Sequence, residues 1–298
     1  MKNTHNIILT VLLFCGTIEF TEAAIRTTAN SGNWNVGATW VGGVVPASGD
    51  DAVITNGKTV ALTGNRSITN FTINAGGTLT DGGFNLTVSG NLVINGTYNG
   101  SGTGRLLLTG NAKTIDGTGT INNVNRVDMT ASTTKTILSS ASITFTGTNQ
   151  RIAIRANNTV TNNGTVTLKR ITGANATSVW TNAANATLNI SADLLSTGTL
   201  TALATGNTIN YNGAVAQTIK ATTYYHLTLS NAAAKTAGGN LTVNGNFTTS
   251  GTATFNGGTS RTHTFLGNWI INSTAATPFS FTTASTINFN TPGTPAST

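Results

Sequence analysis

The sequence predicts an all-β protein, a right-handed parallel β-helix (β-solenoid) with an N-terminal cap. Three observations support this fold class. Short phrases recur along the chain, apolar and polar residues alternate within them, and Gly and β-branched residues interrupt every candidate helix after residue 23. Charged residues make up only 8% of the 298 residues, against about 25% in an average soluble domain. Asn, Thr and Ser must therefore supply most of the polar surface.

Residues 1–23 predict an export signal. Lys2 provides positive charge, residues 7–14 form a short apolar run, and Thr21-Glu22-Ala23 resembles a small-x-small cleavage site. The apolar run is shorter than the roughly 20 residues that a membrane-spanning helix needs. We therefore expect cleavage after Ala23, no membrane span, and a protein that is secreted or held at the cell surface.

The single cysteine, Cys15, lies inside the signal. A lipid anchor on Cys15 is the alternative, but Phe14 is bulky where lipidation signals have a small residue. The chain after Ala23 has no cysteine and forms no disulfide, so its stability must come from repeated hydrogen bonds and packing.

The charge pattern argues against a nucleic-acid partner. After Ala23 the chain carries 14 basic and six acidic side chains, a formal charge of +8. The basic residues look scattered, and Lys169-Arg170 is their only adjacent pair. A nucleic-acid groove needs a clustered basic stripe with aromatic residues between the charges. We therefore expect no nucleic-acid binding.

Residues 24–62 are predicted to form the cap and the first coil. This segment contains Trp34, Trp40 and the only acidic pair, Asp50-Asp51. The ends of a solenoid must be covered, because open strand edges pair with other chains. We expect the two indoles to lie over the end of the core. The alternative is an aromatic platform for sugar rings, which makes Trp34 and Trp40 the candidate ligand residues.

Residues 63–298 are predicted to form the solenoid repeats. The phrase "NLTVSGNLVINGT" from Asn85 nearly recurs as "NLTVNGNFTTSGT" from Asn240. Strand parity places the following residues on the core side: Leu86, Val88, Leu92 and Ile94 in the first copy, and Leu241, Val243, Phe247 and Thr249 in the second. At roughly 20–25 residues per coil, the chain makes about a dozen layers. Stacked β-sandwiches are the alternative, because turns every 8–12 residues suit that architecture too.

The cap segment resembles the opening of G8-type and related secreted β-helix proteins, which are common among large surface proteins of Bacteroidetes-type bacteria. The resemblance is carried by Trp34, Thr39-Trp40, Gly42-Gly43, Pro46, Gly49-Asp50-Asp51 and Ile54. It implies an extracellular, surface-associated and adhesive role, and it supplies no catalytic residues. Such proteins often end in a β-sandwich sorting domain. This chain ends at "TPGTPAST", so the resemblance implies that it is either truncated or a fragment of a longer protein, and that a C-terminal sorting or partner domain is missing.

The acidic residues give little support to catalysis. After the signal they are Asp50, Asp51, Asp81, Asp116, Asp128 and Asp193, and no Glu remains. A polysaccharide lyase or hydrolase needs converging carboxylates, whereas Asp50, Asp81 and Asp116 stand in turn contexts. His226 and His263 are isolated and do not make a metal signature. We expect no catalytic residue, no metal site and no cofactor.

Two further patterns concern the coil surface. The sequons at Asn85, Asn95, Asn240 and Asn246 predict corner ladders between stacked coils rather than glycan sites. Thr-x-Thr triplets begin at Thr78, Thr165 and Thr252, and such triplets on a flat face can order water. They do not recur at a fixed period, so we expect no single flat array and regard ice binding as an alternative.

The sequence as a whole predicts a secreted, non-catalytic, adhesin-like β-helix. It would present a long polar wall to glycans or to a cell surface. The alternatives are a polysaccharide lyase or hydrolase on the same scaffold, and an ice-binding or spacer protein.

Overall fold

A computed structural model describes residues 23–289, except residues 132, 149 and 283. The predicted signal, apart from Ala23, and the predicted C-terminal truncation lie outside the described residues.

The described chain is almost entirely β-structure, with two single-turn 3₁₀ helices, Gly37–Thr39 and Val41–Gly43. The first twelve strands are β1 (Ile25–Thr27), β2 (Gly32–Asn33), β3 (Asp51–Ile54), β4 (Thr59–Ala61), β5 (Arg66–Ile68), β6 (Phe71–Ile73), β7 (Thr78–Thr80), β8 (Leu86–Val88), β9 (Leu92–Ile94), β10 (Thr97–Asn99), β11 (Arg105–Leu108) and β12 (Lys113–Asp116). The next twelve are β13 (Thr120–Asn122), β14 (Arg126–Met129), β15 (Thr134–Ile137), β16 (Ser142–Thr146), β17 (Arg151–Ile154), β18 (Thr159–Asn162), β19 (Thr165–Leu168), β20 (Arg170–Gly173), β21 (Val179–Asn182), β22 (Thr187–Ile190), β23 (Thr199–Thr201) and β24 (Thr208–Tyr211). The last eleven are β25 (Gln217–Ile219), β26 (Thr223–Tyr224), β27 (His226–Leu229), β28 (Ala234–Ala237), β29 (Thr242–Val243), β30 (Phe247–Gly251), β31 (Thr254–Asn256), β32 (Thr262–Phe265), β33 (Trp269–Ser273), β34 (Phe279–Ser280) and β35 (Thr286–Phe289).

These strands wind into a β-solenoid of about eleven turns, with one strand on each of three faces in most turns. Face 1 holds the sheet β1-β3-β6-β9-β12-β15-β18-β21-β23 and then β26-β29-β32-β35. Face 2 is one continuous sheet, β2-β4-β7-β10-β13-β16-β19-β22-β24-β27-β30-β33. Face 3 holds β5-β8-β11-β14-β17-β20 and then β25-β28-β31-β34. The prediction of a β-solenoid is confirmed, and the stacked-sandwich alternative is wrong because consecutive turns pair in parallel.

The core runs along the solenoid axis and is built by strand parity. Leu86, Val88, Leu92 and Ile94 are all buried, as are Leu241, Val243, Phe247 and Thr249. Thr87 and Thr242, which have the opposite parity, are partly exposed. The inward assignment made from the sequence is therefore confirmed for both copies of the repeated phrase.

The two copies occupy different corners of the coil. The first turns from β8 on face 3 into β9 on face 1, and the second turns from β29 on face 1 into β30 on face 2. Both corners nevertheless use the same hydrogen bond, from Gly90 N to Thr69 O and from Gly245 N to Tyr225 O, each 2.7 Å. The repeated phrase therefore encodes a local strand–corner–strand geometry rather than a fixed place in the coil.

Asparagine ladders connect the corners of successive turns, as the sequons predict. The Oδ1 atoms of Asn85, Asn95 and Asn240 accept the backbone N–H groups of Arg105, Thr118 and Thr262, one turn later. Asn246 Oδ1 accepts Asn268 Nδ2 at 3.2 Å. Most of these side chains bond to the backbone of the next turn rather than to a copy of themselves. They satisfy corner N–H groups that the sheets leave unpaired.

Candidate functional site

Face 2 is the sheet with the most strands in the described solenoid, and its outward side carries a continuous column of polar side chains. One residue of each strand from β4 to β30 points outward in register with the next, giving ten layers. We call this column the Thr/Asn wall. Its members are Thr59, Thr78, Thr97, Thr120, Thr144, Thr167, Asn189, Asn210, Thr228 and Thr248. At about 4.8 Å per layer, the wall is roughly 40 Å long.

The Thr/Asn wall contradicts the expectation from the sequence that the Thr-x-Thr triplets form no single array. The Thr-x-Thr triplets at Thr78 and Thr165 both lie on face 2 and contribute to one array, although their spacing along the chain is irregular. The triplet at Thr252 does not join it, because Thr254 belongs to β31 on face 3. Corners of different length absorb the irregular spacing, while interlayer hydrogen bonds hold the strands in register.

Side-chain hydrogen bonds join successive layers on the outer side of face 2 at two places. In one ladder, Asn122 Nδ2 donates to Asn99 Oδ1 at 2.8 Å, and Thr146 Oγ1 donates to Asn122 Oδ1 at 3.0 Å. In the other, Asn189 and Asn210 are joined at 3.1 Å. The hydroxyls of Thr78, Thr97, Thr120 and Thr144 have no such partner among the described side-chain hydrogen bonds and remain available to a ligand or to water.

Trp34 and Trp40 are fully buried in the hydrophobic core beside the first strands of the solenoid. Their rings pack edge to face with centroids 5.0 Å apart, and Trp34 also contacts Phe71 at 6.1 Å. Trp40 Nε1 donates to Trp34 O at 2.7 Å. Neither indole presents a face to solvent, so this geometry favours the cap over an aromatic sugar platform.

The adjacent carboxylates Asp50 and Asp51 hold different parts of the chain. Asp50 accepts the N–H groups of Ala24 and Ala47 and pairs with Arg26 Nε at 3.1 Å. Burial raises the pKa of Asp50, but these hydrogen bonds outweigh burial and leave the pKa below its ordinary value. Asp51 accepts the backbone and side-chain N–H groups of Asn70. The pair does not converge on a common partner.

Asp81 stands directly before a turn, as expected, whereas Asp116 is the last residue of strand β12. Asp81 accepts Gly83 N at 2.9 Å and Ser101 N at 2.8 Å, and Asp116 accepts Gly117 N at 2.8 Å. Within the part of the chain that the structure describes, no group of three or more His, Cys, Asp or Glu side chains could hold a metal ion.

His226 and His263 each accept a backbone hydrogen bond from a neighbouring turn. His226 Nδ1 accepts Asn246 N at 2.8 Å, and His263 Nδ1 accepts Leu241 N at 3.3 Å. Burial lowers the pKa of both imidazoles below the ordinary 6.5. Both rings must be neutral at that nitrogen to accept these hydrogen bonds.

The sequence analysis missed two inward-facing lysines. Lys135 and Lys235 are fully buried, and burial lowers the pKa of each to about 8. Lys135 Nζ donates to Thr133 Oγ1, and Lys235 Nζ donates to Gly213 O and Val215 O. Strand parity in the sequence could have revealed that both lysines point inward, because each stands two residues before an inward position, Ile137 or Ala237.

Four of the 14 basic residues are not scattered, contrary to the expectation from the sequence. Four arginines stand in register on the outer side of face 3, on the adjacent strands β11, β14, β17 and β20. We call this column the arginine ladder. Its members are Arg105, Arg126, Arg151 and Arg170. The four arginines are unequally spaced along the chain, so the sequence alone did not reveal the column.

Comparison with models of known protein families, with characterised proteins and with solved structures finds no match to this chain. In residues 23–131, 133–148, 150–282 and 284–289, no helix has the length and apolar character to cross a bilayer.

Proposed function

We propose that this protein is a secreted, non-catalytic β-solenoid that binds glycans of a polymer or of a cell surface along the Thr/Asn wall. The observation that carries the proposal is the ten-layer register of outward Thr and Asn on face 2. Hydroxyl and amide groups repeated at a fixed spacing suit many weak hydrogen bonds to the hydroxyls of an extended sugar chain. A rigid backbone reduces the entropy lost on binding.

The surface-associated role is also supported by the resemblance of the cap segment to G8-type secreted proteins of Bacteroidetes-type bacteria. The proposed export after Ala23 has its own test. N-terminal sequencing of protein secreted by its host should begin at Ala24. Material that retains Met1, or that carries lipid on Cys15, would contradict this part of the proposal.

The test of function is a glycan and whole-cell binding screen of residues 24–298, run beside an oligosaccharide-release assay on the same polymers. We expect binding without release. Product release that is abolished by substituting a single Asp with Asn would contradict the non-catalytic proposal and favour a lyase or hydrolase. Absence of both binding and release would leave a spacer role.

Ice binding is a second candidate, supported by one specific observation. The wall carries six threonines on consecutive layers, from Thr59 to Thr167. Asn189 and Asn210 interrupt the threonine column at the next two layers. Thermal hysteresis of residues 24–298 tests this second function: a measurable freezing-point gap supports ice binding, and its absence contradicts it.

A further inference from the structure

The arginine ladder places like charges directly opposite one another on four neighbouring strands. Cross-strand pairs of like charge are destabilising. The pKa of Arg151 is lowered by burial and by repulsion from its neighbours Arg126 and Arg170. This chain has 14 basic side chains after Ala23, and four of them form this unfavourable column. Proteins break such local rules mainly where function requires it.

Acidic partners near the ladder fix part of it but do not neutralise it. Asp128 is buried and pairs with Arg126 Nε at 2.6 Å and with Arg155 Nη2 at 2.9 Å. Arg170 lies 3.9 Å from the exposed Asp193. Among the described residues, no carboxylate pairs with Arg105 or Arg151. Five arginines therefore face two carboxylates, an excess of three positive charges.

The surface beside the ladder contains a cleft of about 210 Å³, lined by Arg126, Arg151, Arg155 and Thr172 among others. The Nε atoms of Arg151 and Arg170 are buried and have no hydrogen-bond partner among the described residues. Asp128 holds two guanidinium groups in place, which limits the entropy that they would lose on binding an anion.

We infer that the arginine ladder is a binding site for an acidic polysaccharide, one that carries a carboxylate or a sulfate on successive sugar residues. Guanidinium groups bind planar oxyanions through paired N–H donors. Four layers at about 4.8 Å give a ladder roughly 14 Å long, which fits a polymer with repeated anions better than a single small ion. This inference goes beyond the proposed function because the ladder lies on face 3 and the Thr/Asn wall lies on face 2.

The chemistry around the ladder disfavours nucleic acid. Binding to single strands needs aromatic side chains on which the bases stack. The outward neighbours on the ladder strands are Leu107, Asp128, Ala153 and Thr172, and none of them is aromatic.

The test measures affinity of residues 24–298 for polygalacturonate, for a sulfated polysaccharide, and for a single-stranded oligonucleotide. The ladder variant is Arg105→Gln/Arg151→Gln, which leaves the Asp128 ion pairs intact. The control is Lys58→Gln/Lys113→Gln, which removes the same charge elsewhere. Circular dichroism and thermal melting establish that all variants are folded.

We expect the ladder variant to bind at least one of the two polysaccharides at least about tenfold more weakly, a loss of about 1.4 kcal/mol, because two guanidinium groups that would pair with anions are removed. The control should change less than about twofold, as a rim charge does. Replacing Thr97, Thr120 and Thr144 on the wall by Val should leave this binding unchanged, so failure of the ladder and failure of the wall are distinguishable. Equal weakening in the ladder and control variants, or tighter ladder-dependent binding of the oligonucleotide, would overturn the inference.

Discussion

Replacing Val243 by Asp tests the parity on which the solenoid is built. Val243 is fully buried and pairs in register with Tyr224 and Phe265, which are also buried. The substitution removes a buried valine, worth about 1.5–3 kcal/mol. It also places a carboxylate among apolar side chains, which costs several kcal/mol more even when the group is protonated. We expect a loss of at least about 4 kcal/mol, against a total stability of about 5–15 kcal/mol for a typical domain.

Thr242→Asp is the matched control, because Thr242 is the adjacent residue and points outward between Thr223 and Thr264. It should cost less than about 1 kcal/mol, the span of β-propensity effects. Urea unfolding gives the two free energies, and hydrogen exchange shows where the damage lies. Turns of a solenoid contact only their neighbours, so fast exchange should appear first between residues 223 and 265. Similar losses for the two variants would refute the assignment of inward and outward faces.

Three further predictions concern stability. First, the folded-state pKa values of His226 and His263 lie below 6.5, so the two histidines stabilise the fold fully above pH 6.5 and lose that contribution as the pH falls below it. The variant His226→Asn keeps a hydrogen-bond acceptor and should flatten the fall in melting temperature between pH 7 and 5. An unchanged slope in this variant would contradict the role of His226. Second, the pKa of Lys135 and Lys235 is about 8, against 10.5 when unfolded, so the free energy of unfolding should rise between pH 8 and 10.5 by up to about 3 kcal/mol for each lysine. The variant Lys135→Met should show a smaller rise. A rise of the same size in the variant would refute burial of the charge. Third, a Cβ on Gly96 would lie 2.3 Å from Gly77 O, whereas one on Gly64 would meet nothing within 4 Å. In urea unfolding, Gly96→Ala should therefore lower the free energy of unfolding by about 1–3 kcal/mol, and Gly64→Ala should leave it nearly unchanged.

Strand parity could be read from the sequence because it depends only on neighbouring residues. Leu86 and Val88 share a face in any β-strand, whichever strand they pair with. The corner ladders could also be predicted, since Asn95 and Asn246 follow short strands at turns. Burial of Trp34 and Trp40 could be expected as well, because large apolar side chains are stabilised in a core.

Interlayer register could not be read in the same way. The arginine ladder joins residues 105, 126, 151 and 170, which are separated by unequal lengths of chain. A corner can gain or lose residues without disturbing the parallel pairing of the strands, so no fixed period marks the column. The same irregularity hid the Thr/Asn wall, whose triplets at Thr78 and Thr165 looked unrelated. Both surfaces become visible only when the strands are aligned by their hydrogen bonds.

The most direct test of the central claim, that the Thr/Asn wall binds glycans, compares two sets of hydroxyl deletions. The wall variant is Thr97→Val/Thr120→Val/Thr144→Val, and the control is Thr136→Val/Thr161→Val/Thr181→Val, three outward residues in register on face 1. Valine keeps the branched shape and the β-propensity of threonine while it removes the hydroxyl. Affinity for a neutral polysaccharide that binds the unmodified chain should fall about tenfold or more in the wall variant, since each lost hydrogen bond costs about 0.5–1.5 kcal/mol, and should be unchanged in the control. Equal affinity of the wall variant and the unmodified chain would contradict the claim.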